Sequence, residues 1–343
     1  MSTHTGALPP LPMVVVTSVI RSTHQGQSHG GVYLVDLATL DTHLVLDWNE
    51  SEINWEGRGG DRGLRGVAFW EGHVYLAASD EVFVYDPDFT LLRSFRNRYL
   101  RHCHEIFIAR DELFLTSCGF DSILRYDLRA QRFTAGYCIR RGPVARAASR
   151  TISGALRTLG RSEPYPHPRL VCFDPEESGG PHAGDTRHVN SVTCLDGCVY
   201  FAGTKLTHLY RIRNDTLSAY APIPAGTHNA RPFEEGVLMN DTASDRVSYR
   251  DRHGRVKVEL PVKSYQPHQL RNINLARGQA RQAFGRGLAL WKDRYVIAGS
   301  SPATVSVHDL LSGETFLSLN LSMDVRNAIH GLEIWPYPFG PGS

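Results

Sequence analysis

The stretch at residues 102–128, His102-Cys103-His104-Glu105-Ile106-Phe107-Ile108-Ala109-Arg110-Asp111-Glu112-Leu113-Phe114-Leu115-Thr116-Ser117-Cys118-Gly119-Phe120-Asp121-Ser122-Ile123-Leu124-Arg125-Tyr126-Asp127-Leu128, decides the fold. Three short apolar runs at 106–109, 113–116 and 123–126 are separated by a polar turn at Arg110-Asp111 and by a loop of small residues. Runs this short, bounded by turn chemistry, are strands of an antiparallel meander rather than helices.

The same phrase recurs outward in both directions. Arg65-Gly66-Val67-Ala68-Phe69 leads into Val74-Tyr75-Leu76, and Asn190-Ser191-Val192-Thr193-Cys194 turns at Asp196-Gly197 into Val199-Tyr200-Phe201. Asn229-Ala230-Arg231-Pro232-Phe233 turns at Glu235-Gly236 into Val237-Leu238-Met239, and Arg286-Gly287-Leu288-Ala289-Leu290 turns near Asp293 into Tyr295-Val296-Ile297. Arg65 to His104 and Asn190 to Asn229 are each about 40 residues, and insertions lengthen the other intervals. That period is the mark of a β-propeller.

The chain of 343 residues accommodates six such units as one domain, 1–343. Ile329-His330-Gly331-Leu332-Glu333-Ile334-Trp335 repeats the opening phrase of a blade and then stops, while the first unit, beginning at Met13, is one strand short. The expected fold is therefore an all-β, six-bladed β-propeller closed by pairing of the N- and C-terminal strands, which leaves no exposed sheet edge. Two segments exceed a blade connection, 138–187 and 263–284, and both are expected over the mouth of the central channel. Within the first, residues 143–161 show helical periodicity, with Val144, Ala148, Ile152, Ala155, Leu156 and Leu159 on one side and Arg146, Arg150, Arg157 and Arg161 on another. Those arginines offer contact with a membrane surface or an acidic partner, but a helix laying its apolar stripe on the propeller and solvating its charges is the simpler reading.

Composition excludes several classes of function. A net charge of +2 argues against nucleic acid as a partner. Apolar content of 41% is ordinary for a globular chain, and no apolar run reaches the ~20 residues of a membrane span. The apolar start at 13–20 lacks a basic leader and a cleavage site, so it reads as a strand and not a signal peptide. Six cysteines without a C-x-x-C motif suggest free thiols and a cytoplasmic location, although Cys194 and Cys198 flank a tight turn and could approach one another. The glycine-rich run Gly57-Arg58-Gly59-Gly60-Asp61-Arg62-Gly63 leads into a strand rather than a helix, so no nucleotide cofactor is expected.

Polar residues at the blade openings carry the expected chemistry. In blade order these are His330, Arg65, His104, Asn190, Asn229 and Arg286, and alternation along a strand adds His188 beside Asn190, with His228 or Asn229 depending on the alignment of the fifth blade. Inward polar side chains in one layer are costly without partners, metal or ligand. His104, His188, His228 and His330 are the candidate ligands of a divalent metal such as iron, manganese or zinc, the alternative being a hydrogen-bonded set of histidines with Glu105 and the asparagines. Arg65 and Arg286 are candidates for a small anionic substrate bearing carboxylate, sulfate or phosphate, unless they pair with nearby carboxylates. His104, His188 and His330 with Arg65 and Arg286 form the candidate catalytic set, since imidazole titrates near neutral pH beside a guanidinium that can hold a carboxylate. Asn190, Asn229, Glu105, His24 and Arg231 complete the candidate substrate contacts.

The phrases His104-Glu105-Ile106-Phe107 and Arg187-His188-Val189-Asn190-Ser191 resemble an uncharacterised bacterial propeller family whose blades open with His-Asp and Cys-His-Leu-Asn-Gly, with Glu here for Asp and Arg for Cys. The broader architecture is similar to the six-bladed lactonase and strictosidine-synthase-like propellers, whose metal site of Glu, Asn and Asp is not matched by the histidines of this chain. The resemblance implies a fold and not a reaction. The functional expectation is a metal-assisted lyase, isomerase or hydrolase acting on a small anion; the alternative is a non-catalytic propeller that scaffolds a peptide or protein partner.

Overall fold

The computed structural model describes residues 10–24, 26–49, 63–141, 168–275 and 280–339, which form strands with two 3-10 turns and no longer helix. The first blade contains β1 (Met13–Ile20), β2 (Gly31–Asp36) and β3 (Thr42–Asp47), and the second β4 (Val67–Trp70), β5 (His73–Ala78), β6 (Glu81–Tyr85) and β7 (Leu91–Arg96). The third contains β8 (Ile106–Ala109), β9 (Glu112–Ser117), β10 (Ser122–Asp127), β11 (Arg132–Arg141) and β12 (Pro168–Phe173). The fourth is built from β13 (Val189–Leu195), β14 (Cys198–Gly203), β15 (His208–Arg213) and β16 (Thr216–Pro222). The fifth has β17 (Thr227–Phe233), β18 (Gly236–Asp241), β19 (Arg246–Asp251) and β20 (Val256–Pro261), and the sixth β21 (Leu288–Trp291), β22 (Tyr295–Ser300), β23 (Thr304–Asp309) and β24 (Glu314–Asn320). The last strand, β25 (Asn327–Ile334), joins the first blade in the order β25-β1-β2-β3. Val14 pairs with Ile334 and Ile20 with Asn327, so the expected closure by N- and C-terminal strands is present. These six antiparallel sheets make the six-bladed β-propeller that the repeat implies.

Two compact units divide the chain: Met1–Phe95 with Asn240–Ser248 and Val258–Ser343, and Arg96–Met239 with Tyr249–Lys257. Within the first unit, Val15, Leu34, Leu76, Phe83 and Trp335 join the first two blades in one core, and Val16, Ile297, Val305, Val307 and Ile329 join the first and sixth in another. Within the second, Phe114, Ile123, Val192, Phe201 and Tyr210 form the core of the third and fourth blades. Inner strands such as β9 and β14 are buried along nearly their whole length, whereas the outer strand β7 alternates between exposed and half-buried residues. Each fully buried Leu, Ile, Val or Phe contributes about 1.5–3 kcal/mol, so the continuous apolar runs hold the blades together.

The segment 138–187 opens as a continuation of β11 and returns as β12, the fifth strand of its blade. Gly136 faces Phe173 in this ladder, and a Cβ on Gly136 would lie 2.2 Å from the Phe173 ring. Tyr99 meets Phe173 and Phe120 edge-on, donates its hydroxyl to the Glu177 carbonyl at 3.0 Å and accepts from the Gly180 amide at 2.8 Å. The chain leaving β12 is thereby tied to the third blade. The expected helix at 143–161 lies outside the described residues. In the segment 263–284, a 3-10 turn at Pro267–Gln269 is followed by a bridge from Arg271 to Asp324. All six cysteines are free, including Cys194 and Cys198.

Candidate metal centre

Residues 99–105 are fixed by two hydroxyls at the end of β9. Thr116 Oγ1 accepts from the amides of His104 and Glu105, each at 3.0 Å, and donates to the Glu105 carbonyl. Ser117 Oγ donates to the Tyr99 carbonyl at 2.6 Å and accepts from the Arg101 amide at 3.0 Å. The next residue, Cys118, starts a 3-10 turn that ends at Asp121 in the left-handed region with φ 47°. The strand that carries Cys118 is therefore the strand that positions His104.

Asp121 then fastens a second segment to the same place. Its carboxylate accepts from the Thr186 amide and hydroxyl and from the amides of Arg187 and His188, at 2.6–3.2 Å, while Gly184 N–H donates to the Gly119 carbonyl at 2.7 Å. These bonds hold His188 at φ 53°, a conformation a non-glycine residue adopts at a cost. Gly203 allows that backbone to approach, because a Cβ there would lie 2.6 Å from the carbonyl oxygens of both Arg187 and His188.

The result is a cluster of one ligand atom each from His104, Cys118 and His188, all within 4.8 Å of one another. The two imidazoles are 5.1 Å apart between ring centroids. Cys118 is fully buried with Sγ 2.9 Å from the Val189 carbonyl, while both histidines are partly exposed. Donors on one zinc stand about 3.3–3.8 Å apart, given bonds of about 2.0–2.3 Å. His188 Nδ1 lies 2.8 Å from Asp185 Oδ2, the kind of carboxylate partner that sets the tautomer of a ligating histidine.

The structure thus brings His104 and His188 together and adds Cys118, while His228 and His330 do not enter the cluster. His228 Nδ1 is held by the Gly226 carbonyl at 3.0 Å, and His330 Nε2 lies 2.8 Å from Arg286 Nη1. Of the four candidate histidines, the cluster therefore contains two, His104 and His188. A bulge between Val189 and Ser191 also breaks the alternation that would set His188 beside Asn190. Asn190 instead donates to the Thr227 carbonyl at 3.1 Å.

Glu105 bridges three blades of its unit, accepting from the Val192 amide at 3.0 Å and from Asn229 Nδ2 at 3.1 Å. Arg231 lies half-buried in the same unit. Arg65, Arg286, His330 and His24 belong to the other unit. Arg65 is buried and its carbonyl accepts from Thr17 Oγ1, which in turn accepts from Gly331 N–H at 2.8 Å. Arg286 stacks on Phe284 at 4.7 Å, as do Arg281 at 4.9 Å and Arg21 at 5.4 Å. His24 is exposed. Cys118 escaped the reading of strand openings because it follows the second strand of its blade. The signal available in the sequence was its place at the end of a buried strand, in the same short stretch as His104.

No protein-family model matches the chain, and no curated protein matches it. Among solved structures, a chain of the nidogen/laminin complex is similar at a TM-score of 0.55 and 10% identity, over 94% of this chain and 97% of that one. A protein of unknown function from Bacteroides caccae is similar at a TM-score of 0.53 and 9% identity, over 94% and 98%. At such identities the likeness concerns the propeller fold alone.

Proposed function

We propose that this protein is a metal-dependent enzyme that holds one zinc or iron(II) ion through His104, Cys118 and His188 and acts on a small anionic molecule. The observation that carries the reading is the convergence of two imidazoles and a thiol, from segments joined by Asp121, with Asp185 orienting one imidazole. Three protein ligands leave a coordination position for water or substrate, as in catalytic rather than structural zinc sites. A thiolate donor favours zinc or iron over manganese. The bound ion supplies a Lewis acid and a water acidic enough to act as hydroxide near neutral pH.

The chain's own groups define the rest. Asp185 accepts a hydrogen bond from His188 Nδ1–H and keeps Nε2 available, and Thr116 holds the backbone of His104 in place. Both histidines are then spent as ligands, which favours metal-assisted hydrolysis over proton abstraction by a free histidine base. Metal analysis of the purified full chain tests the proposal. One equivalent of zinc or iron is expected, lost in Cys118→Ser and His104→Ala and retained in His228→Ala and His330→Ala. Protein free of metal after expression and after incubation with zinc would overturn the reading and favour the non-catalytic scaffold.

A further inference from the structure

A cavity of 530 Å³ adjoins the loop that carries Asp185 and His188. Its lining includes Asp121, Thr186, His182, Arg140 and Arg169. The two arginines are direct partners in the β11–β12 ladder, so both side chains stand on the same face of the sheet. Like charges placed opposite one another destabilise a strand pair. Both side chains are exposed, and among the described residues no carboxylate forms an ion pair with either of them. Asp121, also in the lining, directs its carboxylate oxygens to four donors of residues 186–188.

A strand pair that sets two guanidinium groups, neither ion-paired to a carboxylate among the described residues, over a concave wall is suited to receive negative charge. Each guanidinium presents a planar fork of N–H donors that matches the two oxygens of a carboxylate or phosphate. The volume suits a small metabolite, since ligand cavities run from about 300 to 1,000 Å³. We infer that this cavity binds the oxyanion group, phosphate or carboxylate, of a small molecule between Arg140 and Arg169. The inference deepens the proposed function and rests on it only in making that molecule the substrate; the anion site itself stands on the cavity and the arginine pair. It assigns anion recognition to residues other than Arg65 and Arg286.

The experiment is calorimetric titration of the full chain with inorganic phosphate and with malonate at low ionic strength, for the wild type, Arg140→Gln, Arg169→Gln and the double variant. Saturable binding of at least one anion is expected, weakened at least tenfold by each single substitution and lost in the double variant. The anion that binds more tightly identifies the group as phosphate or carboxylate. Thermal denaturation without ligand separates recognition from structure: removing the repulsion leaves the Tm unchanged or raises it, whereas a structural role for the arginines lowers it. Metal content stays at the wild-type level in these variants, and anion binding survives Cys118→Ser, so this inference and the metal reading fail separately. Absence of binding of either anion to the wild type, or equal binding to the double variant, overturns the proposal.

Discussion

Replacing Asp185 is the sharpest perturbation of the proposed metal centre, because it alters the orientation of a proposed ligand without removing one. The His188 Nδ1 to Asp185 Oδ2 distance is 2.8 Å, with side-chain exposures of 24% and 35%. Loss of such an outer partner costs about 10–100-fold in metal affinity, or ~1.4–2.8 kcal/mol. Two features of the site place Asp185→Asn toward the lower end. Solvent screens the half-exposed pair, and Lys205 Nζ, 3.9 Å from Asp185 Oδ1 and bonded to the Asp185 carbonyl at 2.9 Å, already shares the carboxylate's charge. Asparagine keeps an acceptor for the imidazole N–H and loses only the charge, so about a tenfold weakening is expected; Asp185→Ala, which loses both, falls nearer a hundredfold. Competition against a chromophoric zinc chelator near neutral pH measures these ratios, and cobalt substitution supplies an independent signature. The thiolate-to-cobalt charge-transfer band persists in both Asp185 variants and disappears in Cys118→Ser. Wild-type affinity in Asp185→Ala, with Cys118→Ser also unchanged, would refute the assignment of the centre. Wild-type affinity in Asp185→Ala alone would remove Asp185 from it.

Other consequences follow from the supports of the site and from a buried histidine elsewhere. Thr116→Val removes the acceptor of two amides and the donor to the Glu105 carbonyl, so a loss of about 1–3 kcal/mol in urea denaturation and weaker zinc binding are expected together; unchanged affinity would show that Thr116 does not position His104. Gly203→Ala forces the backbone of Arg187 and His188 to shift and costs about 1–3 kcal/mol, with the cobalt spectrum changed; a variant of wild-type stability and spectrum would contradict this contact. His308 is buried against Thr315, and burial pushes its pKa from 6.5 down to about 4. The folded state therefore holds His308 neutral: its stability is intact above pH 6.5 and falls by about 3 kcal/mol as the pH drops toward 4. His308→Gln flattens that part of the stability profile, and an unchanged slope would refute the linkage. Asp309, lowered to about 2 first by the Arg294 hydrogen bond, contributes stability above pH 3.8 that disappears as the pH falls through 2; Arg294→Gln moves that loss to higher pH in the same titration.

The blade count, the strand positions and the closure by β1 and β25 were legible in the sequence because they depend on local periodicity. Apolar runs, turn residues and their recurrence about every 40 residues do not require knowledge of any distant contact. His104 and His188 were legible for the same reason, as polar residues at repeated openings. Cys118 and Asp185 were not, because their value lies in convergence. One directly follows a strand, the other sits in an irregular link, and the four hydrogen bonds to Asp121, with that from Gly184 to Gly119, bring the two segments together. Alternation placed His188 beside Asn190, but a bulge between Val189 and Ser191 interrupts it, and no pattern of residue types in that stretch announced it. The pairing of Arg140 with Arg169 was equally hidden, since a fifth strand returning after a long insertion has no register until the sheet itself supplies one. Periodic backbone structure is written in neighbouring residues, whereas a site is a set of side-chain directions that the folded chain alone fixes.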